Sequence, residues 1–596
     1  MLWWIYLLLV SQALATLPSG GYAPGTISCP GGLLLTRDAS ELSPSEKDWL
    51  AVRHAVADPQ LAAFLKAANM SDFDVDSFLA DKHINIALTF SGGGLRAMYC
   101  GAGQLNALDL RSSGNSPLKG ILQASTYVAG LSGGSWLVGS LALQNFQSVE
   151  DILSQGKLWD SSGSVIRPYR FNVVENTLQF TRIGFDILAK QAAFFLTSIT
   201  DIWGRALSHQ LFNTFDHDGR AVTYSDIAAS ADFKAGKFPF PIVVADGRAP
   251  GTTILNFNST VFEVNPFEIG SWDPSLNQFS QLRYLGTKVN AGVPHGKCYA
   301  GFDNAGFIVG TSSSLFNQLL VQMDQSVLPP VLKKLLDIGT LPLSLEDVAY
   351  YDPNPFFSSN GSTSIQKAQR LTLVDGGEDT QNVPLTPFLH SARDVDVLIV
   401  NDNSNDRHGW PDGTSLVSTY QRQFTPQGKD APFPYVPGQS SFRNLNLTAK
   451  PTFFGCDAKN LSSLTNNIYD VPLVVYMANR PFTYWSNTST FKLSYTKDQR
   501  QGVIANGYQV NSREEGKLDS EWAACVGCAI IRRQQERNGQ DQSDQCKRCF
   551  QKYCWNGEIY QGEDLGDNFT PDGITKGATF FNGDNTKGIH DGGDSL

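Results

Sequence analysis

Ala124-Ser125-Thr126-Tyr127-Val128-Ala129-Gly130-Leu131-Ser132-Gly133-Gly134-Ser135-Trp136-Leu137-Val138-Gly139-Ser140-Leu141 is the stretch on which the reading of this chain turns. Ala124 to Val128 is strand-like, Ser135 to Leu141 is helical, and a G-x-S-x-G sequence joins them. A bare G-x-S-x-G arises by chance. Between a strand and a helix it predicts a sharp elbow that holds its serine in a strained conformation with Oγ exposed. Side chains two positions to either side would collide there, so glycine is required at Gly130 and Gly134. The N-terminus of the following helix favours negative charge that develops nearby. Ser132 is therefore a candidate nucleophile at a strand end of an α/β fold.

Two more turns follow strand-like runs. Ile84 to Phe90 leads into Ser91-Gly92-Gly93-Gly94-Leu95-Arg96, which opens a helix. Three glycines let backbone N–H groups approach a ligand closely, as a phosphate cradle or an oxyanion hole. The Lys-Ser/Thr pair of a P-loop is missing, which argues against a nucleotide. Beside a candidate nucleophile the oxyanion hole is the favoured use. Arg96 is read either as a contact for an anionic head group or as a structural ion pair. Asp375-Gly376-Gly377 follows Leu371 to Val374 and puts a carboxylate at a strand end. Functional residues of α/β sheets gather there, although the same residues also make an ordinary turn.

Outward from these motifs, strand-like runs such as Ile242 to Ala245 and Val395 to Val400 alternate with helical patterns. That alternation indicates an α/β class. A chain of 596 residues is long enough for about four domains. No repeat or Ser/Pro-rich linker divides it, so one large domain with long insertions is expected, over residues 16–575. Val173 to Phe212 is helical in period and reads as core helix or as a lid over an apolar substrate. The balance of 46 Lys+Arg against 57 Asp+Glu, net charge −11, argues against nucleic acid as a partner.

Residues 1–15 read as a secretory signal, with an apolar run from Leu2 to Val10 and a small-residue site at Ala13-Leu14-Ala15. Their one departure is the lack of Lys or Arg at the start. Seven N-x-S/T sequons, at Asn69, Asn258, Asn360, Asn446, Asn460, Asn487 and Asn568, predict a glycoprotein with these loops facing solvent. Residues 576–596 read as a flexible Gly/Asp-rich tail without the apolar segment of a glycolipid-anchor signal, so a secreted, extracellular protein is expected.

Nine cysteines include a cluster at Cys525, Cys528, Cys546, Cys549 and Cys554, inside a helical segment over 519–556. C-x2-C-x17-C-x2-C is a zinc-ribbon spacing, but an exported chain favours disulfides. Each C-x2-C lies on one helix face, so two facing helices could be cross-bridged, with Ser520 as N-cap of the first. The remaining cysteines are Cys29, Cys100, Cys298 and Cys456. An odd total leaves one thiol unpaired, and Cys100, in an apolar helix, is the expected one.

Taken together, S-G-G-G-L-R-A-M at Ser91 to Met98, G-L-S-G-G-S-W at Gly130 to Trp136, G-T-S-S-S-L-F-N at Gly310 to Asn317 and D-G-G-E-D at Asp375 to Asp379 resemble the fungal secreted lysophospholipase (phospholipase B) family. That family is similar to the catalytic domain of the cytosolic phospholipase A group and, more distantly, to patatins. The resemblance runs from about Ile27 to Trp555, with Leu95 standing where an aromatic residue is usual. It implies a patatin-like α/β fold whose central sheet is flanked by helices and long insertions. It also implies a Ser132–Asp375 dyad without histidine, an oxyanion hole from Gly93 and Gly94, and Arg96 on the substrate phosphate. Lysophospholipid and phospholipid esters would be the substrates, met at a lipid interface, with no cofactor or metal. Competing readings are a triad esterase with His390 or His408 as base, and a non-catalytic wall glycoprotein on the same scaffold. Asn401 to Asp406 lacks the glycine and glutamate of a calcium loop and reads as a polar turn.

Overall fold

The protein is described by a computed structural model over residues 19–566, apart from 33, 249–251, 253–254, 318–346, 360 and 362. The expected signal, the sequons Asn360 and Asn568, and the 576–596 tail lie outside the described residues.

Five parallel strands make the centre of the sheet. They are β1 (Asn85–Phe90), β2 (Tyr127–Leu131), β3 (Phe240–Gly247), β4 (Val395–Asp402) and β5 (Leu473–Ala478), in the spatial order β5-β4-β1-β2-β3. Each reads as a near-continuous apolar run because helices cover both faces of a parallel sheet. Short antiparallel strands extend it beyond β3: Val261–Val264, Glu268–Ser271, Gln278–Gln281 and Thr36–Asp38. A further strand, β6 (Leu371–Asp375), runs antiparallel to the end of β3 and pairs with Ala349–Tyr351. The α/β expectation is met. One shift is instructive: Ile121–Ala124 is a helical turn, and the strand before the elbow begins at Tyr127. Pairing to β1 on one side and β3 on the other sets those bounds.

The helices that matter for the site start at the carboxyl ends of the strands. Helix α1 (Gly94–Leu108) follows β1, and α2 (Gly133–Leu143) follows β2. The expected helical stretch splits into α3 (Val173–Ala192) and α4 (Ile199–Leu211). Ser198 caps α4 in a capping box with Asp201. Helix α4 is core and packs on α5 (Ala305–Thr311). Helix α3 keeps one face outside.

The cysteine cluster is oxidised. Cys525–Cys549 and Cys528–Cys546 staple α6 (Trp522–Arg537) to α7 (Asp544–Tyr553), and Cys456–Cys554 ties the end of α7 to the sheet edge. Cys29–Cys298 is the fourth bridge, and Cys100 is the free, buried thiol. Zinc at the cluster is thereby displaced. Ser520 does not cap α6; the Asp519 carboxylate takes the Glu521 N–H at 3.0 Å instead. Among the sequons, Asn69, Asn258, Asn446 and Asn460 are exposed. Asn487 corrects the expectation: it is 5 % exposed, and its Nδ2 donates to the His408 carbonyl at 3.0 Å.

Candidate active site

Strand register brings Ser132 and Asp375 together. Leu131, the last residue of β2, pairs with Val244 of β3, and Asp375, the last of β6, pairs with the next residue, Ala245. Both strands thus lie on the same flank of β3 and meet end to end. The residue after Leu131 is Ser132, whose Oγ donates to Asp375 Oδ2 at 2.9 Å. Both side chains are buried, which corrects the expectation of an exposed Ser132 Oγ: the glycine loop after β1 packs over the elbow, and a Cβ on Gly92 would lie 3.0 Å from Ser132 Cβ.

Ser132 has φ 50° and ψ −119°, a strained conformation for a side-chain-bearing residue and the one an elbow requires. The glycine expectation is met in distances. A Cβ on Gly130 would lie 2.2 Å from the Gly134 carbonyl oxygen, and one on Gly134 would lie 2.1 Å from that of Phe90.

The glycine loop after β1 lies against the elbow, since a Cβ on Gly133 would fall 2.9 Å from Gly94 N. Gly93, at φ 132°, is the N-cap of α1. Among the described residues the N–H groups of Gly93 and Gly94 have no acceptor. Two unspent donors at the N-terminus of a fifteen-residue helix, next to a serine Oγ, are what an oxyanion needs.

Arg96 is 0 % exposed, and burial pulls its pKa below the usual guanidinium value. Among the described residues it makes no ion pair. Nε donates to the Asn403 carbonyl at 3.2 Å, Nη1 to the Thr488 carbonyl, and Nη2 to Thr490 Oγ1 at 3.2 Å. Its charge is left without a counter-ion at contact, which an incoming anion would relieve.

Burial raises the Asp375 pKa to about 7, against hydrogen bonds from Gly377 N–H and Ser132 that lower it. Other buried acids crowd it. Burial lifts Glu378 to about 8, with Arg248 opposing at 2.9 Å, and lifts Asp379 to about 6. Asp246, next to Ala245 on β3, has both oxygens buried without a hydrogen-bond partner among the described residues, and burial pushes its pKa well up. No set of these acids could hold a metal ion among the described residues.

No histidine is hydrogen-bonded to Ser132 or Asp375 among the described residues. His390 stacks on Trp272 at 4.4 Å between ring centres, and its Nδ1 accepts the Ala392 N–H at 3.3 Å. His408 sits in the loop after β4. Asn401 and Asp402 correct the expected polar turn, because pairing with Met477 and Ala478 extends β4 through them, and the turn starts only at Asn403. Asn403 N–H donates to Ser91 Oγ at 2.7 Å, and Tyr476 OH donates to Asp402 at 2.8 Å.

Two supporting residues escaped a role in the sequence reading. Ser312 Oγ accepts the Ser132 N–H at 3.0 Å and donates to the Val244 carbonyl at 2.6 Å. Ser314 Oγ accepts the Asp375 N–H at 2.9 Å. The run G-T-S-S-S, which closes α5 and continues past it, therefore fixes both backbones that carry the pair. The signal was three consecutive serines at a helix end, which sequence alone connects to neither strand.

Comparisons with known proteins give the family and the fold. Residues 86–560 match the family model described as "Lysophospholipase catalytic domain". "Lysophospholipase 1" of Candida albicans is 54 % identical over 598 residues, covering 99 % of this chain and 98 % of that protein. "Lysophospholipase 3" of Saccharomyces cerevisiae is 46 % identical over 583 residues, covering 93 % and 84 %. In fold, the chain is similar to human GIVD cytosolic phospholipase A2, with a TM-score of 0.61 at 14 % identity over 86 % of this chain and 72 % of that one. The chain belongs to the lysophospholipase family, whose members are carboxylic ester hydrolases of the phospholipase B type.

Proposed function

We propose that this protein hydrolyses fatty-acyl esters of lysophospholipids and phospholipids through a Ser132–Asp375 dyad and an acyl-enzyme. The observation that carries the reading is the 2.9 Å hydrogen bond from Ser132 Oγ to Asp375 beside the unspent N–H groups of Gly93 and Gly94. Ser132 Oγ attacks the ester carbonyl as Asp375 takes its proton. The tetrahedral oxyanion sits on the Gly93 and Gly94 N–H groups, each such donor being worth about 3–4 kcal/mol. Its collapse expels the glycerol oxygen, which recovers the proton from Asp375. Water, deprotonated by Asp375, then attacks acyl-Ser132; as the acyl–oxygen bond breaks, Asp375 returns the proton to Ser132 Oγ and the fatty acid leaves. Arg96 holds the substrate phosphate, once the Thr488–Thr490 segment yields its hydrogen bonds. Export into the secretory pathway is supported by the signal-like residues 1–15 and by the four disulfides.

The pH profile alone does not identify the base. An Asp375 at its reference pKa would keep activity down towards about pH 4, but burial raises it to about 7. Its carboxylate is then lost as pH falls through about 7, close to where an ordinary histidine charges. Substitutions separate the two. Ser132→Ala and Asp375→Asn should each lower hydrolysis of lysophosphatidylcholine by about 10⁴ or more. His390→Ala and His408→Ala should leave it within a few-fold. A folded histidine variant as inactive as Ser132→Ala would replace the dyad by a triad. Failure of a fluorophosphonate to label Ser132 would favour the non-catalytic scaffold.

A further inference from the structure

We infer that the outer face of α3 is the surface by which this protein docks onto a phospholipid aggregate. The inference rests on the proposed lipid-ester activity and adds where the lipid phase is met. Seventeen large apolar residues are exposed among the described residues, and eight of them fall between 171 and 196. Val174, Leu178, Phe185 and Leu188 recur at helical spacing along one stripe, and Phe171 and Phe194 flank it at 92 % and 97 % exposure. An apolar patch of this kind on a monomer marks a contact surface.

The polar groups of α3 point to lipid as the occupant. Of its four ionisable side chains, Asp186 and Lys190 are buried, bonded to Arg205 at 3.0 Å and Asp201 at 2.6 Å, and Glu175 is half-buried. Arg182 is the one exposed charge of the helix. It carries the sign that meets a lipid phosphate. Thr177 and Thr181 turn their hydroxyls back onto the Val173 and Thr177 carbonyls at 2.7 and 2.8 Å, so the stripe asks little of water. A protein partner would ordinarily find a polar rim with hydrogen-bonding groups. An amphipathic helix lying in the plane of a lipid interface needs an apolar face with a cation at its edge. No sequon falls between Asn69 and Asn258, so no glycan would be attached within this stretch.

The helix that bears this face is linked to the site through its inner side. Helix α3 packs on α4, whose Trp203 stacks on Phe316 at 4.8 Å. Phe316 meets Phe491 edge-on at 5.5 Å and lies 3.2 Å from where a Gly94 Cβ would be. Phe491 is 37 % exposed. Packed apolar side chains thus run from the helix that carries the stripe to the glycine loop.

The test uses the full chain with Ser132→Ala, so that vesicles are not consumed, and phosphatidylcholine vesicles as the probe. Phe171→Ser, Phe185→Ser and Phe194→Ser are combined in that background and in the active protein. All three side chains are exposed, so the fold should stand. Vesicle binding should weaken at least tenfold, and hydrolysis of vesicle lipid should fall by a similar factor. Turnover of a water-soluble short-chain ester should stay within twofold. Unchanged vesicle binding by the triple variant would overturn the docking, as would a parent protein that does not bind vesicles. So would a dimer in sedimentation that the three substitutions dissociate, because the face would then belong to a second copy. Short-chain ester hydrolysis that survives Ser132→Ala would sink the dyad and leave the docking to be judged on binding alone.

Discussion

Around Ser132, carboxylates and a guanidinium lie buried. On α3, phenylalanines lie in the open. Both regions invert the usual partition of polar and apolar groups, in opposite directions. The buried groups are over-determined: Ser132 and Asp375 are bonded to each other, and their backbones are held by Ser312 and Ser314. The exposed rings of Phe171, Phe185 and Phe194 are held by little. Chemistry at an ester needs atoms fixed to a fraction of an ångström before the substrate arrives. Adhesion to a fluid surface needs only apolar area facing outward. Rigidity is thus concentrated in one region and unnecessary in the other. Substitutions in the first should be felt in kcat, and substitutions in the second in binding to lipid.

The sharpest way to break that contrast after the dyad itself is Gly93→Ala. The N–H of Gly93 stays, but its φ of 132° does not suit alanine, and the new Cβ would lie 2.3 Å from Arg96 Nη2. The loop must shift, and the oxyanion donors with it. A loss of about 10²–10³ in kcat is expected, with KM changed little for an ester that carries no phosphate and so makes no use of Arg96. Steady-state rates on a monomeric ester decide it. A variant with full kcat would place the oxyanion on other donors.

Ser312→Ala and Ser314→Ala should act more gently. Each removes the acceptor for one buried N–H while leaving the reacting atoms in place. Losses of about 10- to 100-fold in kcat at nearly constant KM are expected for small misplacement of the pair. Rates that depend instead on KM would make these serines part of substrate binding. Both variants should also keep the parent's affinity for vesicles, since α3 is untouched.

Legibility in the sequence follows the same division. The elbow, the glycine loop and Asp375 are local signals, each a turn chemistry after an apolar run, and they mark the site. Four of the five parallel strands are visible because burial on both faces makes them continuous runs, while Leu473–Ala478, equally apolar, was passed over. The antiparallel extension was not visible, because Val261–Val264, Glu268–Ser271 and Gln278–Gln281 are four residues each and carry Glu and Gln. Their pairing is non-local. The same limit hid Ser312 and Ser314, whose partners are 180 and 61 residues away. The pKa of Asp375 was out of reach for another reason, since the cause of its shift is burial, a property of the packed sheet. Asn487 shows the converse error: a local signal, the sequon, is overridden by tertiary burial.

The smallest expected effect concerns what the buried site costs the fold. Asp375 has a folded pKa of about 7, against about 3.9 in an unfolded chain. A raised pKa means that the folded state holds the proton more tightly. The resulting stability is fully present below about pH 4, is lost progressively as pH rises towards 7, and is constant above that. Asparagine has no such loss. It can also keep both contacts, with Oδ1 still accepting the Gly377 N–H, bonded at 2.9 Å in the parent, and Nδ2 donating to Ser132 Oγ. Asp375→Asn should therefore melt with the parent at pH 4 and about 2–5 °C above it at pH 8. The gap should open between those values rather than appear at one step. Melting curves of the two proteins that stay parallel from pH 4 to pH 8 would mean that the carboxylate is not strained by burial, and that its ionisation is held by the surrounding N–H groups at no expense to stability.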